Sequence, residues 1–307
     1  MTTQPIQVQS LVKTFGDFAA LDGIDLTVEE GSVHGFLGPN GAGKSTAIRV
    51  LLGLYRATAG QVRVLGRDPG AQPAAVARQV SYVPGDVALW PNLTGQQVLD
   101  ALAGLRGARD QARERELIEA FALDPTRRVR TYSTGNRQKV MLIAAFAAPT
   151  PLLVLDEPTS GLDPLMDQVF SGCVQDAARE GRTVLLSSHI LGEVERLCTD
   201  VTIIRQGQVV ESGSLEELRH LAALEVTLGG EPAQLDRVRA RLDHAGHPLS
   251  EVDGVGGKRH TSVVARVERD RLPEVLATVA EAGLTEVTVE PASLESLFLR
   301  HYEGAAR

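Results

Sequence analysis

The sequence predicts an α/β protein with a mostly parallel sheet, followed by a smaller α+β domain. Short apolar strands alternate with helical stretches as far as about residue 220, and this alternation is typical of a parallel sheet covered by helices on both faces. Beyond that point the elements follow the order β-α-β-β-α-β, which is that of a ferredoxin-like fold. A chain of 307 residues also exceeds the usual size of a single core. We therefore expect two domains, residues 1–220 and 221–307.

The first strands predict an antiparallel layer beside the central sheet. In "IQVQSLVKTF" (6–15) and "GIDLTVEEGSVHGFLG" (23–38), β-branched and aromatic residues alternate or cluster between glycines, as they do in strands. The second stretch ends in a buried strand, Val33–Leu37. After it come a helix in "STAIRVLLGLY", a strand in "GQVRVLG", and a short helix with a further strand in "GAQPAAVARQVSYVP".

Residues of about 90–147 predict a helical subdomain inserted between strands. Its last part, "RTYSTGNRQKVMLIAAFA" (130–147), begins with polar residues and continues as a hydrophobic helix. Ser133 can be explained in two ways. It is either a helix cap, which stabilises a helix by about 1 kcal/mol, or part of an anion site at the positively polarised helix start. These residues alone favour the cap, and the rest of the chain has to decide between the two.

Strands and helices alternate again in the rest of the first domain. The uncharged run Val140–Leu155 is interrupted by Pro149 and Pro151, whereas a membrane-spanning helix needs about 20 apolar residues. The run therefore predicts a buried helix, a turn and a buried strand, and we expect no membrane crossing. The later elements are a helix in "PLMDQVFSGCVQDAARE", a strand in "TVLLSSH", a helix in "ILGEVERLC" and a hairpin in "VTIIRQGQVVESG" that turns near Gly207.

The second domain is predicted from short strands and helices that end in an amphipathic tail, "ASLESLFLRHY". The glycine-rich "DGVGGK" is predicted to be a hairpin loop, because no helix follows it. Both dimer stabilisation and regulation stay open as roles for this domain. The predicted strands and helices lie in "LEVTL", "AQLDRVRARLDHAG", "SEVDGV", "HTSVVARV", "RLPEVLATVAEAG" and "LTEVTVE".

The charge balance argues against a nucleic-acid partner. Lys and Arg total 31 against 39 Asp and Glu, a net charge of −8, and we find no long basic run that would follow a phosphate backbone. The cysteines Cys173 and Cys198 are too few for a disulfide framework. We expect two buried thiols in a reducing cytoplasm. The first residues also lack the apolar core of a signal peptide.

The stretch "GPNGAGKST" (38–46) predicts a phosphate-binding loop. It has the spacing Gly, four residues, Gly-Lys-Ser, and it lies between a predicted strand and a predicted helix. Glycines let backbone N–H groups surround the phosphates, Lys44 supplies a cation, and the Ser45 hydroxyl can join the shell of a Mg²⁺ ion. A glycine-rich turn with a helix cap is the weaker alternative, because strand, loop and helix all occur in the required order. Kinases, GTPases and motor ATPases all stay possible at this point.

A second motif, "LLVLDEPTSGLD" (152–163), places two acids at the end of a predicted buried strand. Asp156 would lie beside the Mg²⁺ shell, and Glu157 would follow it into the cleft. A carboxylate there can polarise the water that attacks the γ-phosphate. Two exposed acids at a strand end are the alternative, which the presence of Lys44 on the same sheet disfavours.

Five motifs follow one another in a fixed order along the first domain. They are the loop 38–46, "YSTGN" (132–136), "LLVLDE" (152–157), "SGLD" (160–163) and "SSH" ending at His189. With them the chain resembles the nucleotide-binding subunit of an ABC transporter over residues 5–220. The resemblance implies the P-loop ABC ATPase fold, ATP hydrolysis, and ATP and Mg²⁺ as cofactors.

The resemblance also implies roles for individual residues. Glu157 would be the catalytic carboxylate, His189 would contact the γ-phosphate, and Asp163 would help couple two sites. Phe15 would stack on adenine, with an ordinary core aromatic as the alternative. The P-loop residues expected to bind ATP are Gly38, Asn40, Gly41, Gly43, Lys44, Ser45 and Thr46.

In ABC proteins the "YSTGN" position is the signature, which faces the γ-phosphate held by the P-loop of another subunit. Ser133 and Gly135 match the positions that approach that phosphate, and the N–H groups of a helix start would bind it. The resemblance therefore implies ATP-driven closure of two subunits. The expected partners are transmembrane permease subunits and a second copy of this chain or a related nucleotide-binding subunit.

Two motifs depart from the family pattern. The signature is usually Leu-Ser-Gly-Gly-Gln, whereas this chain has Tyr132, Thr134 and Asn136 at the first, third and fifth places. In "YVPGDVALWPNLTG" (82–95) the usual glutamine is replaced by Gly85. The next residue, Asp86, is either an oxygen ligand of Mg²⁺ that partly replaces the glutamine or a plain turn residue.

The same loop continues with Leu89, Trp90 and Pro91, which are either a docking patch for the transmembrane partner or, in the case of Trp90, a core residue. One cassette, no long heptad pattern and a negative charge favour a transporter subunit over a soluble ABC ATPase acting on ribosomes or DNA. The loop, the link 125–139 and the tail resemble bacterial exporters of drugs and antibiotics, such as daunorubicin and polyether compounds. An importer subunit is the alternative. We expect the chain at the cytoplasmic face of the membrane.

Overall fold

The computed structural model describes residues 4–221, 224–230, 232–244, 249–252, 261–267 and 269–291. Its contacts divide the chain into two units, Met1–Ser214 and Leu215–Arg307. Within the described ranges, no helix has both the length and the apolar character that spanning a bilayer requires.

Nine strands and seven helices make up the described part of the first unit. The strands are β1 (Ile6–Phe15), β2 (Phe18–Val28), β3 (Val33–Leu37), β4 (Ala59–Val64), β5 (Val80–Val83), β6 (Leu152–Asp156), β7 (Thr183–Ser188), β8 (Asp200–Arg205) and β9 (Gln208–Ser214). The helices are α1 (Lys44–Leu51), α2 (Pro73–Ala77), α3 (Gly95–Arg106), α4 (Gln111–Ala120), α5 (Thr134–Phe146), α6 (Pro164–Arg179) and α7 (Leu191–Leu197).

The central sheet has the strand order β5-β6-β7-β3-β8-β9. Its first five strands are parallel, and β9 returns antiparallel to β8 through a turn at Gly207, which has a φ of +78°. Every residue of β3, β6 and β7 is buried, as expected for strands covered on both faces. Because these three neighbouring strands are parallel, their carboxyl ends meet at one edge of the sheet, where ligands bind in open α/β folds.

A separate antiparallel sheet with the order β2-β1-β4 forms the predicted strand layer. It packs with α1 against the central sheet, so that side chains such as Leu21, Ile48 and Phe36 share one apolar core. The α/β fold class predicted from the alternation of strands and helices is confirmed.

The helical subdomain contains α3, α4 and α5. A capping box begins α3, because the Thr94 side chain accepts from the backbone N–H of Gln97 and the Gln97 side chain accepts from that of Thr94. The hydrophobic α5 ends at Phe146, ahead of the strand that begins at Leu152. The apolar run Val140–Leu155 is therefore a helix, a turn and a strand, as predicted.

The second unit begins with α8 (Leu215–Leu221), and its sheet has the order β11-β12-β10-β13 with antiparallel pairing throughout. This is the strand order of the predicted ferredoxin-like fold, and α9 and α10 pack on it around a core of its own. The predicted loop "DGVGGK" and tail "ASLESLFLRHY" lie outside the described residues. The further elements are β10 (Leu224–Gly230), α9 (Pro232–His244), β11 (Leu249–Val252), β12 (Thr261–Val267), α10 (Leu272–Glu281) and β13 (Glu286–Pro291).

Both cysteines are free thiols in the interior, as the sequence predicted. Burial raises the pKa of Cys173 to about 11 and that of Cys198 further still. Since the thiolate is the reactive form of cysteine, neither residue has the environment of a reactive thiol at neutral pH.

Candidate functional site

The loop 38–46 connects the end of β3 to the start of α1. Gly41 and Gly43 have φ values of +82° and +114°, in the region that favours glycine. A Cβ atom at Gly43 would also lie 2.8 Å from the carbonyl oxygen of Ala20. No side chain caps α1 at Gly43, so the backbone N–H groups of its first turn are available to an anion.

Lys44 occupies the first position of α1, and its side chain is buried under the loop. Its ammonium donates to the carbonyl oxygens of Gly38 at 2.6 Å and Pro39 at 3.2 Å. The same nitrogen lies 3.5 Å from Oε1 of Glu157. Burial lowers the pKa of Lys44, and the Glu157 carboxylate opposes that change. The loop therefore holds the Lys44 ammonium next to the Glu157 carboxylate.

Two carboxylates follow the end of β6 and differ in their surroundings. Asp156 is buried and accepts a hydrogen bond at 2.8 Å from the Ser187 hydroxyl of the neighbouring strand. Glu157 is partly exposed and has a φ of +48°, a conformation that non-glycine residues rarely adopt. Its backbone N–H donates to the Ser187 carbonyl at 2.9 Å. The strand end thus holds Asp156 against the neighbouring strand and leaves Glu157 partly exposed.

His189 follows β7 directly and meets Glu157. Its Nδ1 atom lies 3.3 Å from Oε2 of Glu157, and the imidazole is about half exposed. Glu157 consequently lies between the Lys44 ammonium and the His189 ring. The sequence placed these three residues at the ends of separate elements, and the structure brings them together.

A cleft of ≈ 250 Å³ opens beside this cluster. Its walls bring together Ser45, Asp156 and Asp86, the three residues predicted to hold a metal. Their oxygen atoms fit Mg²⁺, which usually binds one or two carboxylates together with substrate phosphates. In the described part of the chain no group of three or more His, Cys, Asp or Glu residues could hold a metal, and a site completed by phosphates needs none. The remaining walls are Arg49, Tyr82, Pro84, Gly85 and Glu157.

Phe15 lies at the end of β1 and is 45% exposed. This exposure excludes the alternative of a core aromatic. Its ring meets that of Tyr55 edge-to-face, with centroids 5.4 Å apart, and the Lys13 ammonium lies 4.7 Å from the Phe15 centroid. The exposed ring is free to contact a flat apolar ligand.

Ser133 is the cap of α5, which confirms the helix-cap interpretation and leaves the anion site as a prediction. Its hydroxyl accepts from the backbone N–H of Asn136 at 3.2 Å. At Gly135 a Cβ atom would lie 2.4 Å from the carbonyl oxygen of Gly161. The close approach of the first turn of α5 to the segment around Gly161 therefore requires glycine. The substituted Thr134 uses its hydroxyl to accept from the Arg137 guanidinium at 3.2 Å.

The structure does not bring the signature residues to the P-loop of the same chain. Ser133 bonds Asn136 and Arg137, Gly135 lies against Gly161, and neither residue lines the cleft beside Glu157. Asp163 caps α6 by accepting from the N–H groups of Leu165 and Met166, both at 3.0 Å. Ser133 and Asp163 thus cap the starts of α5 and α6, and Gly135 lies in the first turn of α5 against Gly161.

Comparison with known proteins identifies the family. Residues 21–160 match the family described as ABC transporter. The daunorubicin resistance ATP-binding protein DrrA2 of Streptomyces coeruleorubidus is 35% identical over 96% of this chain and 94% of that protein. The chain belongs to the ABC transporter family. It is an ATP-binding subunit and an ATPase of that family, and ABC ATPases generally require Mg²⁺ with ATP.

Solved ABC structures have the same fold. An ATP-binding subunit of an ABC transporter is 30% identical with a TM-score of 0.66, covering 71% of this chain and 92% of that one. A dimeric ATP-binding cassette in a post-hydrolysis state, bound to ADP and Pi, has a TM-score of 0.62 at 22% identity and covers 68% of this chain and 98% of that one. The family and fold predicted from the five ABC motifs are confirmed, and the residue roles stay predictions.

Several residues near the ABC site were not identified from the sequence. Arg49 and Tyr82 line the cleft, and Tyr55 with Lys13 surrounds Phe15. Arg49 carried a usable signal, since it lies one helical turn beyond Ser45 and so on the same helix face. Tyr82 carried no such sequence signal, because its position beside the cleft depends on how β5 packs beside β6.

Proposed function

We propose that this chain powers the export of a drug, antibiotic or lipid-like compound through separate transmembrane permease subunits, at the cytoplasmic face of the membrane. The observation that carries this proposal is the match to a protein named for daunorubicin resistance, which extends over 96% of the chain. The match includes the second unit as well as the ATP-binding cassette. The exporter assignment is therefore supported by the whole chain rather than by the shared ATPase motifs alone.

ATP binding follows from the loop and the exposed aromatic. The N–H groups of the α1 start and the Lys44 ammonium offer positive charge to the phosphates, and Phe15 offers a ring face to the adenine. Ser45 and Asp156, with Asp86 as an additional ligand, would hold the Mg²⁺ ion. That ion supplies charge compensation for the phosphates when it is bound. The assigned ATP-binding residues are Phe15, Gly38, Asn40, Gly41, Gly43, Lys44, Ser45, Thr46, Ser133, Gly135 and Asp163.

Hydrolysis is assigned to Glu157. Its carboxylate lies in the cleft between Lys44 and His189, where it can accept a proton from the attacking water and orient it. His189 steadies that carboxylate and offers its exposed ring to the γ-phosphate. Lys44 compensates the charge that develops on the phosphoryl oxygens.

The site is completed by a second copy of the chain. Ser133 and Gly135 would approach the γ-phosphate bound by the partner's P-loop, and the N–H groups at the start of α5 would bind it. Asp163 lies at the start of α6, next to the loop that contacts Gly135 through Gly161. This arrangement lets each half of the dimer sense whether the other holds ATP.

The permease partner is testable through Trp90, which is 50% exposed and therefore not a core residue. Leu89 is half-buried and Pro91 exposed beside it, so the three form a small apolar patch that fits the short helix of a membrane protein. We expect Trp90→Ala to keep the ATPase rate of the isolated chain and to lose the permease on affinity purification from detergent-solubilised native membranes. The control is Leu105→Ala, an exposed apolar residue of α3 outside the patch.

Identification of the co-purified protein by mass spectrometry tests the exporter itself. A membrane protein whose deletion causes intracellular accumulation of a drug-like compound supports the proposal. Co-purification of ribosomal proteins, or of a permease with a substrate-binding lipoprotein, would instead favour a soluble ABC ATPase or an importer.

A further inference from the structure

Glu193 is a buried carboxylic acid that the ATPase site does not explain. It lies in the first turn of α7 and is only 5% exposed. Its Oε2 atom lies 2.5 Å from the Ser188 hydroxyl, and its Oε1 atom has no hydrogen-bond partner among the described residues. Among the described residues no cation forms an ion pair with Glu193, and a carboxyl group buried without an ion pair lowers the stability of a fold. Its presence here calls for a role other than stability.

Ser188 connects this carboxyl group to the turn that carries His189. The Ser188 hydroxyl accepts from the backbone N–H of Ile190 at 3.0 Å while it contacts Glu193. The two hydrogen bonds therefore enclose His189 in a short turn at the end of β7. From that turn Nδ1 of His189 reaches Oε2 of Glu157 at 3.3 Å.

The surroundings of Glu193 favour a fixed position. Burial raises the pKa of Glu193; the side chains of Ser188, Thr159 and Arg196 oppose that rise, and the Asp167 carboxylate adds to it. Thr159 follows Glu157 by two residues. Glu193 therefore faces both the segment that carries the Glu157 carboxylate and the turn that carries His189. An ion pair between Arg196 and Asp167 at 2.8 Å joins α7 to α6 beside it. The helix that presents Glu193 is thus itself tied to the neighbouring helix.

We propose that Glu193 is a positioning residue that holds the Ser188 turn so that His189 stays directed at Glu157. This inference rests on the role of His189 in the proposed function. Loss of the carboxyl group frees the Ser188 hydroxyl to rotate and lets the turn relax. Misplacement of a catalytic group by about 1 Å is enough to cost on the order of a hundredfold in rate.

The first test compares turnover and ATP affinity in single variants of the full chain. We expect Glu193→Ala to lower kcat by about tenfold or more while Kd for ATP changes by less than about twofold. Glu193→Gln should restore most of the rate, because its amide oxygen can still accept from Ser188. Glu195→Ala, on the same helix, is the matched control and should keep the wild-type rate. A Glu193→Ala variant with wild-type kcat would overturn the proposal.

The second test asks whether Glu193 acts through His189. If it does, the double variant Glu193→Ala/His189→Ala turns over no more slowly than His189→Ala alone, because the interaction is already lost. If the fold-losses in turnover of the two single variants multiply in the double variant, Glu193 acts independently of His189, and the proposal is contradicted. Should Glu193→Ala fail to give a cooperative thermal melt, Ser188→Ala removes the same hydrogen bonds and takes its place. A wild-type rate for His189→Ala would refute the role of His189, whereas slow His189→Ala with fast Glu193→Ala would refute only the positioning.

Discussion

Glu157 has a left-handed backbone, with φ at +48°, at the position where its carboxylate meets both Lys44 and His189. A non-glycine residue in that conformation costs about 1–3 kcal/mol. The hydrogen bond from its N–H to the Ser187 carbonyl at 2.9 Å helps to keep it there. The chain turns sharply after β6, so that Asp156 bonds Ser187 of the neighbouring strand while Glu157 lies between Lys44 and His189.

Asp86 is the residue whose role the sequence left most open. Asp86 lines the same cleft as Ser45 and Asp156, which supports a part in metal binding. We expect Asp86→Ala to raise the Mg²⁺ concentration for half-maximal ATPase activity severalfold, with a smaller effect on the rate at saturating Mg²⁺. The measurement is a Mg²⁺ titration of ATPase activity at fixed ATP, with Asp68→Ala as control. An unchanged titration curve would leave Asp86 as a turn residue.

His34 is a buried titratable residue remote from catalysis. Its Nε2 atom lies 2.9 Å from the Thr202 hydroxyl, and burial lowers the pKa of His34 to about 4. The unfolded chain binds a proton on this residue below its ordinary pKa of 6.5, whereas the folded chain stays neutral down to about 4. The contribution of neutral His34 to the free energy of unfolding is therefore fully present above pH 6.5. It is lost as the pH drops towards 4, and the loss amounts to about 3 kcal/mol.

Urea unfolding between pH 7 and pH 4.5 measures this contribution. The wild-type chain should lose more free energy of unfolding over that interval than His34→Gln, which has no proton to bind. Parallel pH profiles for the two proteins would show that His34 does not titrate in this way.

At the level of elements, the signature helix α5 is stabilised at both ends. Ser133 caps its start, as described above. At its end the Arg182 guanidinium donates to the carbonyl oxygens of Thr150, Phe146 and Ala145 at 2.8–3.3 Å, and Arg106 donates to that of Ala144. Two cations at a helix C-terminus complement its negative end. Since Arg182 directly precedes β7, it also ties the helical subdomain to the central sheet.

Arg182 should therefore contribute more to stability than an ordinary surface arginine. Burial lowers the pKa of Arg182 to about 10, and Arg182→Met leaves several carbonyl groups without their donor. We expect the free energy of unfolding to fall by about 2–4 kcal/mol, measured by urea denaturation. Arg179→Met, at an exposed position of α6, should change it by less than about 0.5 kcal/mol. Equal effects of the two substitutions would contradict the capping role of Arg182.

The elements that the sequence predicted best are those with a strong local pattern. Each of the buried strands β3, β6 and β7 contains a cluster of apolar residues, and the loop 38–46 has a fixed spacing of glycines. The contacts of Gly135 with Gly161 and of Glu193 with Ser188 had no such pattern, since they depend on how loops from separate elements pack. The exposure of Trp90 and Phe15 was also undecided, because an aromatic residue in a loop has no periodicity to reveal its face.

For the whole molecule, the strand order of the central sheet explains why residues predicted from separate sequence motifs lie together in one site. Lys44, Glu157 and His189 come after β3, β6 and β7 in the chain, and the order β6-β7-β3 makes those strands neighbours. The order itself was not predicted from the residues. The signature residues Ser133 and Gly135 do not line the cleft beside these strands, and their assigned partner is a second copy of the chain.

In the proposed mechanism, ATP holds two chains together until Glu157 acts. Glu157→Gln keeps the P-loop and both helix starts but loses the carboxylate that accepts the proton. Size-exclusion chromatography with light scattering, in ATP and Mg²⁺, tests this most directly. Controls are Glu119→Gln, at an exposed position of α4, and Glu157→Gln/Ser133→Glu, which adds a negative charge where the partner's phosphate would bind.

We predict that Glu157→Gln hydrolyses ATP at least about a hundredfold more slowly than the wild-type chain and elutes as a dimer that contains ATP. The Ser133→Glu double variant should bind ATP as a monomer, and Glu119→Gln should behave as wild type. Near wild-type turnover by Glu157→Gln, or an ATP-loaded Glu157→Gln that stays monomeric, would contradict the split site on which the mechanism depends.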